Sequence, residues 1–286
     1  MTDGLNGFIN FNKSEGKSSA QAVALVRKLF RLPCGHMGTL DPMATGVLPI
    51  GLGKATRLFD YLLDKTKVYS ARFLFGTSTD TLDITGKTEN TTDFIPSEEI
   101  IRANLGKFVG KIDQIPPKFS AKCVDGKRGY ALARRGVEFT LPAKTVEILS
   151  FSLIGQVAEK EYEFELKCKG GTYIRSLARD LGACCGSLAV MSKLERVKSG
   201  KFLIENAVSA EELLNSDNPE KYVIPADFAV DFEKLYLEDD RAKKILDGVY
   251  EDYGYKDGVY RVYNGDKFWG VGEAQNGRLR IKAYVR

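Results

Sequence analysis

Histidine is almost missing from this chain of 286 residues, which carries one, His36, and a single tryptophan. One histidine cannot supply a Ser-His-Asp relay or a multi-histidine metal site, so those chemistries are excluded. Cysteine is sparse as well. Cys34, Cys123, Cys168, Cys184 and Cys185 form no C-x-x-C pair and are odd in number. That argues against a disulfide framework or a zinc knuckle and fits a reducing cytosol. No run of about 20 apolar residues occurs, and the opening MTDGLNGFINFNKSEG has no basic stretch leading into an apolar one. The expectation is a cytoplasmic protein, neither secreted nor membrane-spanning. Phosphate loops fail too: in EGKSS (15–19) and GLGKAT (51–56), Phe11 and Leu48 stand where the first glycine is needed, and Ala55 follows the second lysine. H-E-x-x-H, G-x-S-x-G and acidic metal clusters are absent. No cofactor and no metal is expected.

What remains is ordinary globular composition, 43% hydrophobic and 28% charged, with a net charge of +4 that permits a nucleic-acid partner without demanding one. SSAQAVALVRKLF (18–30) reads as a helix capped by Ser18 or Ser19, with Ala22, Leu25, Val26 and Leu29 at helical spacing. VYSARFLF (68–75) reads as a strand with Tyr69, Ala71, Phe73 and Phe75 on one face. EYEFELKC (161–168) alternates as a half-buried antiparallel strand does, with Tyr162, Phe164, Leu166 and Cys168 inward. A helix follows at 173–184 with Ile174, Leu177, Ala178 and Leu181 as its buried stripe. The interleaving lacks a regular βαβ beat, so residues up to about 220 read as a mixed, mostly antiparallel α/β (α+β) domain. Beyond DNPEKYVIPADF (217–228) and a helix near 240–246, the strands DGVYRVY, KFWGVGE and RLRIKAYV are separated by NGD and QNG turns, which suggests a small β module.

The basic surplus lies in residues 1–223, and much of it in KFSAKCVDGKRGYALARRG (118–136). There Lys118, Lys122, Lys127, Arg128, Arg134 and Arg135 are interleaved with Phe119 and Tyr130. Such a mixture suits a surface that grips phosphates and stacks on bases, although a solvated loop and helix is an equal reading. Arg278, Arg280 and Lys282 also share one face of the last strand; they either track a phosphate backbone or simply face water.

The chemistry concentrates in GHMGTLDPMATGVLPIG (35–51). Pro42 pushes Asp41 toward extended backbone, so the carboxylate is presented rather than folded into a helix cap, and Gly35, Gly38 and Gly46 allow another molecule to come close. The competing reading is plain turn chemistry. His36 titrates near neutrality, yet a lone loop histidine is more often a hydrogen-bonding or stacking residue, so its expected role is supporting. Asp80 and Asp83 in GTSTDTLDITG raise the thought of paired carboxylates for glycoside hydrolysis, against which stands structural use at a strand end. Arg175 flanks the buried stripe of its helix, where a guanidinium can hold a partly buried carboxylate ionised or pair with a helix neighbour such as Asp180.

GHMGTLDPMATGVLPIGLGKATR resembles the signature of the bacterial TruB-type tRNA pseudouridine-55 synthases. KVYSARFLFGTSTDTLDITG (67–86), QIPPKFSAKCVDGKRGYALARRG (114–136), GGTYIRSLARDLG (170–182) and LERVKSGKF (194–202) are similar to further family blocks, in the family's order. The resemblance implies a synthase core over 1–223, with an RNA-closing thumb at about 118–140, and a PUA-like RNA-binding domain over 224–286. It implies that Asp41 is the catalytic aspartate, Tyr69 the base-stacking tyrosine and Arg175 the arginine that pairs with the aspartate. Tyr173 and Leu194 match pocket positions, and His36 a histidine that assists base flipping. Departures are Ser14 for a proline, Cys123 where lysine is commoner, Glu195 within the usual L-R-R, and Val190 where histidine is frequent.

The implied reaction detaches uracil from C1′ at N1, turns it and rejoins it through C5, in the T loop of tRNA, with no cofactor and no metal. A monomer needing no protein partner is expected, because the thumb lets the enzyme grip the T stem-loop itself. Three rivals remain at this level: an RNA N-glycosidase using Asp41 with Asp80 or Asp83, a non-catalytic RNA chaperone on the same fold, and a guide-RNA-dependent relative.

Overall fold

The computed structural model describes residues 4–62, 64–119, 123–124, 127–128, 139–249 and 252–285. Two compact units emerge: Met1–Pro42, Gly46–Lys65 and Ser199–Arg286 form the first, Met43–Thr45 and Thr66–Lys198 the second.

In the first unit, β1 (Gly7–Lys13) is buried along almost its whole length and pairs antiparallel with β3 (Thr45–Leu52). Such continuous burial explains why this apolar run shows no alternation in the sequence. β2 (Cys34–His36) lies antiparallel to β3, with His36 opposite Ile50. Helix α1 (Ser19–Phe30) starts at a capping box in which the Ser18 hydroxyl accepts the Gln21 N–H and the Gln21 side chain accepts the Ser18 N–H. It stops where Arg31 turns left-handed at φ 55°. The buried stripe is Ala22, Val23, Val26 and Phe30; Leu25 and Leu29 are only half-buried, so the helix is rotated from the expected face toward Phe30.

The C-terminal strands Glu233–Leu237, Gly258–Asn264, Lys267–Gln275 and Arg278–Tyr284 form a four-stranded sheet, parallel at its first pair and antiparallel beyond. Val271, Ala283 and Val285 from this sheet share one core with Phe8, Val47, Leu58 and Phe202. A second core gathers around Trp269, Val262 and Leu279.

In the second unit the sheet order is Ala189–Ser199, β4 (Lys67–Phe75), Glu161–Cys168, Lys144–Ala158, Gly110–Gln114. Tyr69, Ala71, Phe73 and Phe75 are all buried, as their alternation predicts, and Phe73 packs on Phe164 at a centroid distance of 4.7 Å. Helix α2 (Glu98–Leu105) packs on the Lys144–Ala158 strand. There Arg102 donates to the Leu153 carbonyl at 3.0 Å, and Glu98 accepts the Gln156 N–H at 3.1 Å. Helix α3 (Ile174–Cys184) buries Ile174, Leu177, Ala178 and Leu181, and Arg175 and Ser176 with them. No helix among the described residues is long and apolar enough to cross a membrane.

Candidate active site

The segment that carries Asp41 is fastened through its neighbours. Ser19, in the first turn of α1, donates its hydroxyl to the Leu40 carbonyl and accepts the Leu40 N–H, both at 2.9 Å. The Pro42 carbonyl accepts the Gly16 N–H at 2.9 Å and the Lys13 ammonium at 3.2 Å. Lys13 is fully buried, an expensive place for a charge unless oxygens surround it. Its ammonium also donates to the Ser14 and Lys17 carbonyls, at 2.9 and 2.7 Å. The K-S-E-G turn thus wraps one buried cation, and the cation holds the residue after Asp41. Gly38 and Gly46 take φ 110° and 96°, which only glycine adopts without strain. Leu40 and Ala44 are buried, while Asp41 and His36 are half-buried.

Tyr69, Tyr173, Arg175 and Leu194 belong to the second unit. Tyr69 and Leu194 are buried on their strands, and Tyr173 is the residue at which α3 begins. Arg175, 6% exposed, donates to the Thr81 carbonyl at 3.0 Å and to the Phe119 carbonyl at 3.1 Å. It also faces Asp83 in a buried ion pair at 3.4 Å. The helix neighbour Asp180 takes Arg179 instead, at 2.8 Å.

Asp83 is fully engaged. One carboxylate oxygen accepts the Thr81 hydroxyl at 2.8 Å, the Thr85 N–H at 3.0 Å and the Thr85 hydroxyl at 2.5 Å, and the other meets Arg175. An ionised carboxylate offers about four acceptor positions, so little capacity is left. Within this loop Leu82 adopts φ 62°, a strained setting for a branched side chain; its carbonyl is fixed by the Met191 N–H at 3.1 Å. Asp80 accepts the Lys87 N–H at 2.8 Å. Structural use at a strand end is therefore what this pair of aspartates shows, and the ion pair with Arg175 is what the sequence did not reveal. The only sign was the density of threonine around Asp83.

Of the basic stretch, Lys118 is exposed. Lys127 and Arg128 form a two-residue strand paired with Cys123–Val124; their side chains, and Lys122, Arg134 and Arg135 altogether, lie outside the described residues. On the C-terminal sheet Arg278, Arg280 and Lys282 are exposed and line a groove of about 540 Å³ shared with Asp252 and Glu273. Lys282 pairs with Glu273 at 3.0 Å. On β4, two residues before Tyr69, burial and then the Arg196 guanidinium push Lys67 down to about 8. Among the described residues no cluster of His, Cys, Asp and Glu could hold a metal.

The fold is shared with solved structures. A chain of a Cbf5–Nop10–Gar1 complex superposes with a TM-score of 0.72 at 24% identity, covering 98% of this chain and 85% of that one. A chain of an archaeal box H/ACA Nop10–Cbf5 complex gives 0.69 at 22%, covering 98% and 86%. The chain belongs to the TruB family of pseudouridylate synthases, whose N-terminal domain matches residues 27–174. Relatives called tRNA pseudouridine synthase B run along the whole length. That of Clostridium kluyveri is 39% identical over 98% of this chain and 100% of its own. That of Aquifex aeolicus is 38% identical over 97% and 99%.

Proposed function

We propose that this pseudouridylate synthase acts on tRNA and converts the T-loop uridine at position 55 to pseudouridine. The observation that carries the reading is the near end-to-end similarity to bacterial tRNA pseudouridine synthases B at 38 to 39% identity. The reaction is an isomerisation: the N1–C1′ bond breaks, a C5–C1′ bond forms, and the C5 hydrogen leaves to solvent while N1 regains a proton. No external oxidant, reductant or group donor enters.

The residues then divide the work. A uracil stacked in folded RNA must first be extruded, at a cost of a few kcal/mol. Basic side chains at 118–140 and the cations of the PUA-like module (224–286) offset it through phosphate contacts, with His36 assisting the flip. Tyr69 supplies the ring on which the extruded base stacks, with Tyr173 and Leu194 lining its pocket. Asp41 supplies the carboxylate that acts on the nucleotide, and Arg175 the positive charge that keeps it ionised. The catalytic domain is residues 1–223. The enzyme works in the cytoplasm as a monomer without a protein partner, a reading supported by the higher identity to the bacterial relatives than to the Cbf5 chains.

An N-glycosidase using Asp80 or Asp83 is disfavoured by the hydrogen bonds those carboxylates already accept. Incubation with an unmodified tRNA transcript tritiated at uracil C5 separates the two reactions. Isomerisation sends tritium to water and leaves a pseudouridine at one mapped T-loop position; hydrolysis frees labelled uracil. Free uracil, or modification mapped elsewhere, would overturn the proposal.

A further inference from the structure

The start of α3 has no cap of its own. Tyr173 sits at the cap position, and its side chain makes no capping hydrogen bond. The orphan groups of a helix N-terminus need partners, and here one comes from 59 residues away. Gln114 ends the strand Gly110–Gln114, where its backbone pairs with Lys144 at the sheet, and it is 1% exposed. Its side-chain carbonyl accepts the Tyr173 N–H at 2.8 Å, and its side-chain amide donates to the Tyr173 carbonyl at 3.1 Å. A carboxamide donates from one atom and accepts at another, so it can bridge the N–H and the carbonyl of a single residue.

The next residues continue the stitching. The Ile115 carbonyl accepts the Ser176 hydroxyl at 2.8 Å and the Arg179 guanidinium at 3.2 Å, and the Phe119 carbonyl accepts Arg175. Pro116 and Pro117 between them are buried and carry no N–H to satisfy. So the segment 114–119 meets the first turn of α3 through a ladder of side-chain bonds, with Gln114 as its rigid end.

We propose that Gln114 is a positioning residue for Arg175 and Tyr173: its carboxamide clamps the Tyr173 peptide groups and so sets where the first turn of α3 presents the guanidinium. The inference rests on the reading of Arg175 and Tyr173 as parts of the synthase site. A side chain that fixes the support of a site residue acts on the rate of the chemical step rather than on capture of the RNA.

The test is single-turnover pseudouridine formation and tRNA affinity for wild type, Gln114→Met and Gln114→Glu. Gln114→Met removes both bonds at similar length, and Gln114→Glu keeps only the acceptor. The rate is expected to fall by about 10- to 100-fold in Gln114→Met and by at least as much in Gln114→Glu, whose buried carboxylate oxygen would face the Tyr173 carbonyl, while Kd for tRNA moves by less than about threefold. In a double-mutant cycle with Arg175→Lys, the combined loss in rate is expected to be well short of the product of the single losses, because both act on one guanidinium. A wild-type rate in Gln114→Met, a loss confined to Kd, or losses that simply multiply would overturn the inference. Should Gln114→Met fail to fold, Gln114→Glu and Ser176→Ala carry the same comparison. Wild-type protein that forms no pseudouridine in tRNA would instead overturn the functional reading.

Discussion

Around Asp41, other residues hold the backbone: Ser19 takes both peptide groups of Leu40, and Gly16 and Lys13 take the carbonyl of Pro42. Around Asp83 the aspartate does the holding itself, accepting from Thr81 and Thr85 and facing Arg175. Both loops are rich in threonine and contain glycine, and on paper either aspartate could be a turn former. The difference lies in which atoms carry the scaffold. The peptide groups on either side of Asp41 are held by other residues, whereas Asp83 has spent its own acceptor positions on its loop.

The comparison breaks most decisively at Asp41. Asp41→Asn is expected to lower pseudouridine formation by at least about 10³-fold while the protein still folds and unfolds cooperatively in urea. An unfolded variant would mean that the two loops are built alike. Asp83→Asn should behave in the opposite manner and destabilise by about 3 kcal/mol or more, because an amide N–H₂ would be driven against the guanidinium and leave a buried charge unmatched; equilibrium denaturation measures this. Lys13→Met comes next. Three carbonyls lose a charged donor, so stability should drop by about 2 kcal/mol and turnover with it, since the Pro42 carbonyl keeps only the Gly16 N–H of its two donors. Turnover at the wild-type level would show that Lys13 matters to folding alone.

Lys67 sharpens the contrast from the side of the cations. Lys13 is surrounded by carbonyl oxygens, but for Lys67 burial, and after it the positive charge of Arg196, pushes the ammonium's pKa from 10.5 down to about 8. The unfolded chain therefore binds more protons than the folded one between those two values, and this group's contribution to stability rises with pH across that window. Below pH 8 both states carry the charge and the folded state bears the burial cost. Lys67→Met is expected to raise stability at pH 7 by about 1 to 3 kcal/mol and to remove the rise from pH 8 upward. Thermal melts of both proteins over pH 7 to 10 give the difference; parallel curves would contradict it.

Much of the framework was readable because burial leaves a period. Tyr69 to Phe75 and Tyr162 to Cys168 alternate, and both are strands with those residues inside. Ser18 and Gln21 announce the start of α1. The strand Glu233–Leu237 escaped notice: in EKLYL only Leu237 is buried, so no alternation shows, and its parallel partner lies some 27 residues on. The turns of 3₁₀ helix over Gly53–Tyr61 were hidden by a resemblance to a phosphate loop. At the site, Asp41 stood out because Pro42 and the glycines restrict its backbone, a local signal. The ion pair of Asp83 with Arg175 and the clamp of Gln114 on Tyr173 are matches between distant stretches, and no window of sequence contains both halves of either.

The core that joins Phe8, Val47 and Leu58 to Val271, Ala283 and Val285 makes two stretches distant in sequence dependent on one another. Residues far apart along the chain thus belong to one cooperative block. During synthesis Phe8, Val47 and Leu58 leave the ribosome well ahead of Val271, Ala283 and Val285, and meet those apolar partners only once they have followed.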